Sequence, residues 1–229
     1  VLSAKYDLAL PIHIRNHLVP RKAGKVLAYL QRHGFLASRG LEIGCGRGWE
    51  MKRILQAGHS IVGTDLATGQ VQLAAKEMNH PRATFFAADA RKLPFREQTF
   101  DFAYVIGSFH HIEDVQDQHM ALAEMARVVR DGGAVFLHET NPRNPLFRFY
   151  MGDIFPVLRS IDVGSEQWLD PRALRNVPRL ELCDIQYFTF LPDFLPAWLF
   201  QALRPLETWL EKSPAAVFSA HYMAVFRKF

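Results

Sequence analysis

Leu41-Glu42-Ile43-Gly44-Cys45-Gly46-Arg47-Gly48 reads as the end of a short strand, a glycine-rich turn and the first turn of a helix. Three glycines at alternate positions give a backbone that turns tightly and lets another molecule come close. The amides at the following helix start offer donors and a partial positive charge, so a carboxylate or phosphate is expected here. The spacing is not that of a dinucleotide fingerprint, whose third glycine would fall at Trp49. A phosphate-binding P-loop is excluded too, because no Gly-Lys-Ser/Thr follows.

Outward from this turn, strand and helix patterns alternate for about a hundred residues. Strands are expected at 41–45, 60–64, 83–88, 100–106 and 134–138. Helices are expected at 21–34, 49–57, 70–78 and 115–129, with Asp131-Gly132-Gly133 as a tight turn. The strands are near-continuous apolar runs, as in a parallel sheet buried on both faces. Alternation of this kind predicts a doubly wound α/β fold, in which ligands sit beyond the carboxyl ends of the strands. Glu42, Asp65 and Asp89 fall at or near those ends. Farther on, 182–191 reads as a strand, 197–210 as a helix and 219–228 as a last strand. Residues 141–180 read as irregular or short helical.

The 229 residues suit one domain, divided into an N-terminal helical cap (1–38), a core (39–140) and a C-terminal part (141–229). That last part holds 16 of the 28 aromatic residues. The net charge of +4 is uneven: seven Lys/Arg against one Asp in 1–40, ten against thirteen in 41–140, ten against nine in 141–229. The basic N-terminus suits a solvated helix face, anionic lipid or a substrate phosphate. No basic run interleaves with aromatics, which argues against nucleic acid. The two cysteines, Cys45 and Cys183, form no disulfide framework or metal spacing, so no metal and a reducing cytoplasm are expected. No signal peptide or membrane-spanning apolar run is read.

Four segments, in order, resemble the class I S-adenosylmethionine-dependent methyltransferases of the small single-domain type. They are Leu41–Gly48; Val62-Gly63-Thr64-Asp65-Leu66; Ala87-Ala88-Asp89-Ala90 with Leu93-Pro94-Phe95 and Thr99-Phe100-Asp101; and Val105-Ile106-Gly107-Ser108-Phe109-His110-His111-Ile112. The resemblance covers about 39–140. It implies a Rossmann-like seven-stranded sheet, mostly parallel with an antiparallel last strand, in the order 3-2-1-4-5-7-6. It also implies S-adenosyl-L-methionine as cofactor and S-adenosyl-L-homocysteine as product.

On that resemblance, the amides of Gly44, Cys45, Gly46 and Gly48 meet the methionine carboxylate, and Asp65 accepts both ribose hydroxyls. Leu66 lies beside the ligand, Asp89 accepts from the adenine amino group and the Ala90 amide donates to a ring nitrogen. Ile106 and Gly107 bring backbone to the ammonium and sulfonium, with Glu42 as loop organiser or ammonium partner and Tyr6 as a cap. Asp101 is structural. His110, His111 and His138 are the candidate catalytic groups, positioning being an equal role for the first two, and His138 and Glu139 are expected to face the cleft.

The resemblance implies methyl transfer to a small, apolar or aromatic metabolite: a natural-product, quinone or lipid-like acceptor. Arg143, Arg148 and Arg159 are candidates for an anionic group on it. Alternatives left open are a non-catalytic cofactor-binding scaffold, a nucleotide-dependent oxidoreductase, and a peripheral membrane enzyme acting on lipid through 194–209. The oligomeric state is not legible.

Overall fold

The computed structural model describes residues 11–147, 167–170, 174 and 177–229. Tyr6, Arg148, Arg159 and most of 141–180 lie outside them. In chain order the elements are α1 (Ile12–Arg32), β1 (Arg39–Ile43), α2 (Trp49–Gln56), β2 (Ser60–Asp65), α3 (Thr68–Met78), β3 (Ala83–Ala87) and β4 (Phe100–Ile106). There follow α4 (Val115–Val128), β5 (Val129–Thr140), β6 (Leu180–Phe188), α5 (Ala197–Glu211) and β7 (His221–Lys228). Single 3-10 turns stand at Phe109–His111 and Pro214–Phe218.

Seven strands form one sheet in the order β3-β2-β1-β4-β5-β7-β6. Pairs from β3 through β5 are parallel, and β7 runs antiparallel to both its neighbours. This is the α/β architecture expected from the sequence. Strand alternation sends Ala103 and Val105 to one face, against Leu122 and Met125 of α4. Phe102 and Tyr104 go to the other, against Val26 and Leu30 of α1 and Met51 and Ile54 of α2. Gly40 lets β1 lie close to that second layer, since a Cβ there would sit 2.4 Å from the Phe102 ring.

Two boundaries differ most from the sequence reading. Helix α1 starts at Ile12, with Pro20 inside it, not at residue 21. Proline removes one helical hydrogen bond, yet each half of α1 has its own partner. Ile14 and Leu18 pack on Phe200 of α5, while Ala23, Val26 and Leu30 pack on the sheet. Strand β5 starts at Val129, and Gly132-Gly133 is not a tight turn but part of an irregularity inside the strand. The pairing with β4 jumps from Phe100↔Val129 to Phe102↔Ala134. Gly132, at φ 74°, absorbs the extra residues. Among the described residues, no helix is long and apolar enough to cross a membrane.

Candidate active site

The carboxyl ends of β1, β2 and β4 meet at one edge of the sheet. After β1 the chain passes through three left-handed glycines, Gly44 (φ 64°), Gly46 (φ 47°) and Gly48 (φ 72°), and after β4 through Gly107 (φ 63°). Gly44 is needed for contact: its Cβ would lie 2.4 Å from the Ser108 Oγ, which instead donates to the Gly44 carbonyl at 3.2 Å. Gly46 and Gly107 face open space, where a Cβ would meet nothing within 4 Å. Backbone at both positions is therefore open to another molecule.

The turn is held by its own amides. Cys45 N donates to the Thr64 carbonyl at 2.9 Å and Gly48 N to the Cys45 carbonyl at 2.7 Å. Gly46 N donates to Asp65 Oδ2 at 3.0 Å, and Ala67 N donates to Asp65 Oδ1 at 2.9 Å. The sequence reading offered these amides to a ligand carboxylate; three of the four it named are spent inside the loop. Each Asp65 oxygen keeps acceptor capacity, since an ionised carboxylate has about four lone-pair sites. Leu66 beside it is 74% exposed.

Glu42 is buried and accepts from the Tyr104 hydroxyl at 3.0 Å. Burial pushes its carboxyl well above the usual range, and the nearby Glu50 charge adds to this. Asp89 is half-exposed and engaged: Arg91 donates Nε to both its oxygens at 3.0 Å and a terminal nitrogen to Oδ2 at 2.6 Å. The Arg91 hydrogen bonds hold it below the usual carboxylate value.

The three candidate histidines do not converge. His110 Nδ1 lies 2.7 Å from Glu139 Oε2, whose other oxygen accepts from the Phe109 amide at 2.8 Å. Burial alone would raise Glu139, but His110 and these hydrogen bonds hold it below its ordinary value. An ionised carboxylate only accepts, so His110 is the donor at Nδ1. Its ring stacks on Trp168 at 4.5 Å and is tilted against His111 at 4.1 Å. His111 is exposed. His138 and Glu139 were both expected to face the cleft; instead both are fully buried, and as neighbours on a strand they point to opposite faces. Neither ring nitrogen of His138 has a hydrogen-bond partner among the described residues. Burial, and next the Lys22 charge, keep His138 well below the imidazole range. Its ring is 5.2 Å from that of His221, which burial lowers to about 3.

Residues 41–137 match the family described as "Methyltransferase domain". The chain is 31% identical over 139 residues to a demethylmenaquinone methyltransferase of Streptomyces avermitilis, covering 58% of each. It is 30% identical over 103 residues to a sterol 4-C-methyltransferase of Caenorhabditis elegans, covering 43% of this chain and 30% of that one. The chain thus spans under two thirds of these curated relatives. A Pyrococcus horikoshii crystal structure shares the fold, with a TM-score of 0.62 and 16% identity over 92% of this chain and 91% of that one.

Residues 41–137 are thus similar to a methyltransferase domain. The segments within that match are those that converge at the carboxyl edge of the sheet. Sequence reasoning missed the Arg91 hold on Asp89, although an Asp-x-Arg spacing in a turn was visible. It also missed Ser108 and Trp168. Ser108 had a signal in the Gly107-Ser108 loop after β4; Trp168 had none, since it reaches His110 from a distant stretch.

Proposed function

We propose that this domain transfers a methyl group from S-adenosylmethionine to a small, apolar, quinone- or lipid-like acceptor. The observation that carries the reading is the open backbone at Gly46, held to the Asp65 carboxylate, and at Gly107, after the adjacent strand. The donor set fits the cofactor: two acceptor oxygens for a ribose, an exposed leucine for a flat base, and glycine backbone for the amino-acid end. A dinucleotide fits less well, because Trp49, at the first position of α2, lies under the Arg15 guanidinium at 4.7 Å. When bound, S-adenosylmethionine supplies a methyl carbon made electrophilic by its sulfonium.

The chain's own residues then align and desolvate. Asp65 orients the ribose, Leu66 covers the base, and the Ala90 amide reads a ring nitrogen. Asp89 accepts from the purine amino group once Arg91 yields. Gly44, Cys45, Gly46 and Gly48 shape the floor, with Ile106 and Gly107 beside the reacting end. Buried Glu42 takes up the ammonium side. Glu139 accepts from His110 Nδ1 and so fixes the orientation of the ring, and this pair, beside His111, is the base for an acceptor hydroxyl. His138, buried against Phe188 and His221, backs the site from within the core. The division into 1–38, 39–140 and 141–229 follows the same plan: cap, cofactor core and acceptor-side region.

The demethylmenaquinone and sterol methyltransferases among the relatives support an apolar acceptor. Calorimetric titration with S-adenosylhomocysteine tests the reading. Wild type is expected to bind in the micromolar range. Asp65→Asn and Gly46→Ala, the latter putting a methyl group on the open backbone, should each weaken binding at least about tenfold, roughly 1.4 kcal/mol. No binding to the folded wild type refutes it.

A further inference from the structure

The outer face of α5 is built unlike the rest of the surface. Trp198 and Trp209 are eleven residues apart, within about 20° of each other around a helix and about 16 Å apart along it. Ala202, Pro205 and Leu206 lie between them on the same side, and all five are exposed, Trp198 by 72% and Trp209 by 65%. Phe194, just before the helix, is 62% exposed, and Ile12 at the start of α1 is 65% exposed. Ile12 lies at the same end, since the adjacent His13 ring contacts the Leu195 carbonyl at 3.0 Å.

The charges on α5 are sorted by sign. Its two carboxylates turn inward to α1: Glu207, buried, meets Arg21 and His17 at 3.3 Å, and Glu211 meets Arg21 at 2.6 Å. Arg204 and Lys212 remain exposed. Asp193, ahead of the helix, is exposed beside Phe194. The outward face of the helix is therefore aromatic and apolar and carries no carboxylate of its own; on the same helical spacing Lys212 lies about 40° from Trp198, at its border, and Arg204 about 120° away, on its flank.

We infer that this face docks on an anionic lipid bilayer, with α5 lying in the interfacial plane. Tryptophans at both ends of one stripe suit the headgroup boundary, where an apolar ring and a polar N–H are both satisfied. Arg204 and Lys212 complement anionic headgroups, an attraction that salt screens. A docking protein of opposite charge would use the cations but has no need for two widely spaced indoles. This inference does not rest on the cofactor reading.

The test is co-sedimentation of the whole chain with phosphatidylcholine vesicles containing about a third phosphatidylserine. Wild type should pellet with them at about 0.05 M salt and be released at about 0.5 M. The double variant Trp198→Ser/Trp209→Ser and the charge reversal Arg204→Glu/Lys212→Glu should each lose at least about tenfold in partitioning. Circular dichroism and S-adenosylhomocysteine titration on the same samples separate loss of docking from loss of fold or of the cofactor site. Absence of wild-type pelleting at low salt overturns the inference. So does undiminished pelleting of the tryptophan variant, or wild-type self-association through this face without lipid.

Discussion

At the scale of single residues, His138 is the costly one. A buried polar atom without a partner costs about 1–3 kcal/mol, and His138 carries two. Replacing it with leucine should raise stability by about 1–3 kcal/mol, read as a higher urea midpoint at an unchanged slope. Acid sensitivity follows from the same site. His138 and His221 are held neutral below the ordinary value of 6.5, His221 down to about 3. Between those limits the unfolded chain binds more protons than the native one, so stability is full above pH 6.5 and falls as pH drops. The slope is up to about 1.4 kcal/mol per pH unit for each histidine. Urea titrations across that range should show the slope shrinking in His138→Leu. Glu42 predicts a proton effect of the other sign. A ligand ammonium brought beside this raised carboxyl ionises it, so binding releases a proton. The calorimetric enthalpy of S-adenosylhomocysteine binding should then vary with the ionisation heat of the buffer, and Glu42→Gln should remove that dependence.

At the scale of elements, α1 and α5 are held together by one buried carboxylate. Glu207 accepts from the Phe190 amide at 2.8 Å and the Leu191 amide at 3.2 Å, as well as from Arg21. Burial opposes its ionisation, but hydrogen bonds from His17 and these amides bring it down to about 2. Glu207→Ala leaves two amides without their acceptor, while Arg21 keeps Glu211, and should cost about 3 kcal/mol. Hydrogen exchange should place the loss in α5 and the first half of α1, with β1 and β4 unaffected. The sequence hid this clamp because its partners lie some 186 positions apart. It hid the first half of α1 for a local reason, since Pro20 reads as a helix boundary when nothing shows that each half has its own support. By contrast, the strands from β1 to β4 were legible as apolar runs, and the glycine turn by its spacing. The Gly132-Gly133 irregularity looks like any glycine turn until the pairing with β4 is known. The opposite facing of His138 and Glu139 was open to deduction from strand alternation alone.

At the scale of the whole molecule, the proposed ligand site joins β1, β2 and β4, the middle of the sheet, so occupancy and global stability are linked. S-adenosylhomocysteine at about a hundred times its dissociation constant should stabilise the protein by about 2.7 kcal/mol, several degrees in melting temperature. Gly46→Ala, strained at φ 47°, should melt below the apo wild type and lose the ligand shift.

The placing of β7 between β5 and β6 has a consequence for biosynthesis. β7 follows every other strand in sequence, yet it is an interior strand whose Tyr222, Met223, Ala224, Val225 and Phe226 are fully buried. A nascent chain that has emerged only through β6 holds β5 and β6 with no strand to bridge them, two open edges beside bare apolar faces. The sheet cannot close until the ribosome has delivered β7, so this half of the fold waits for the strand that follows β6, and chaperones can bind there in the interval.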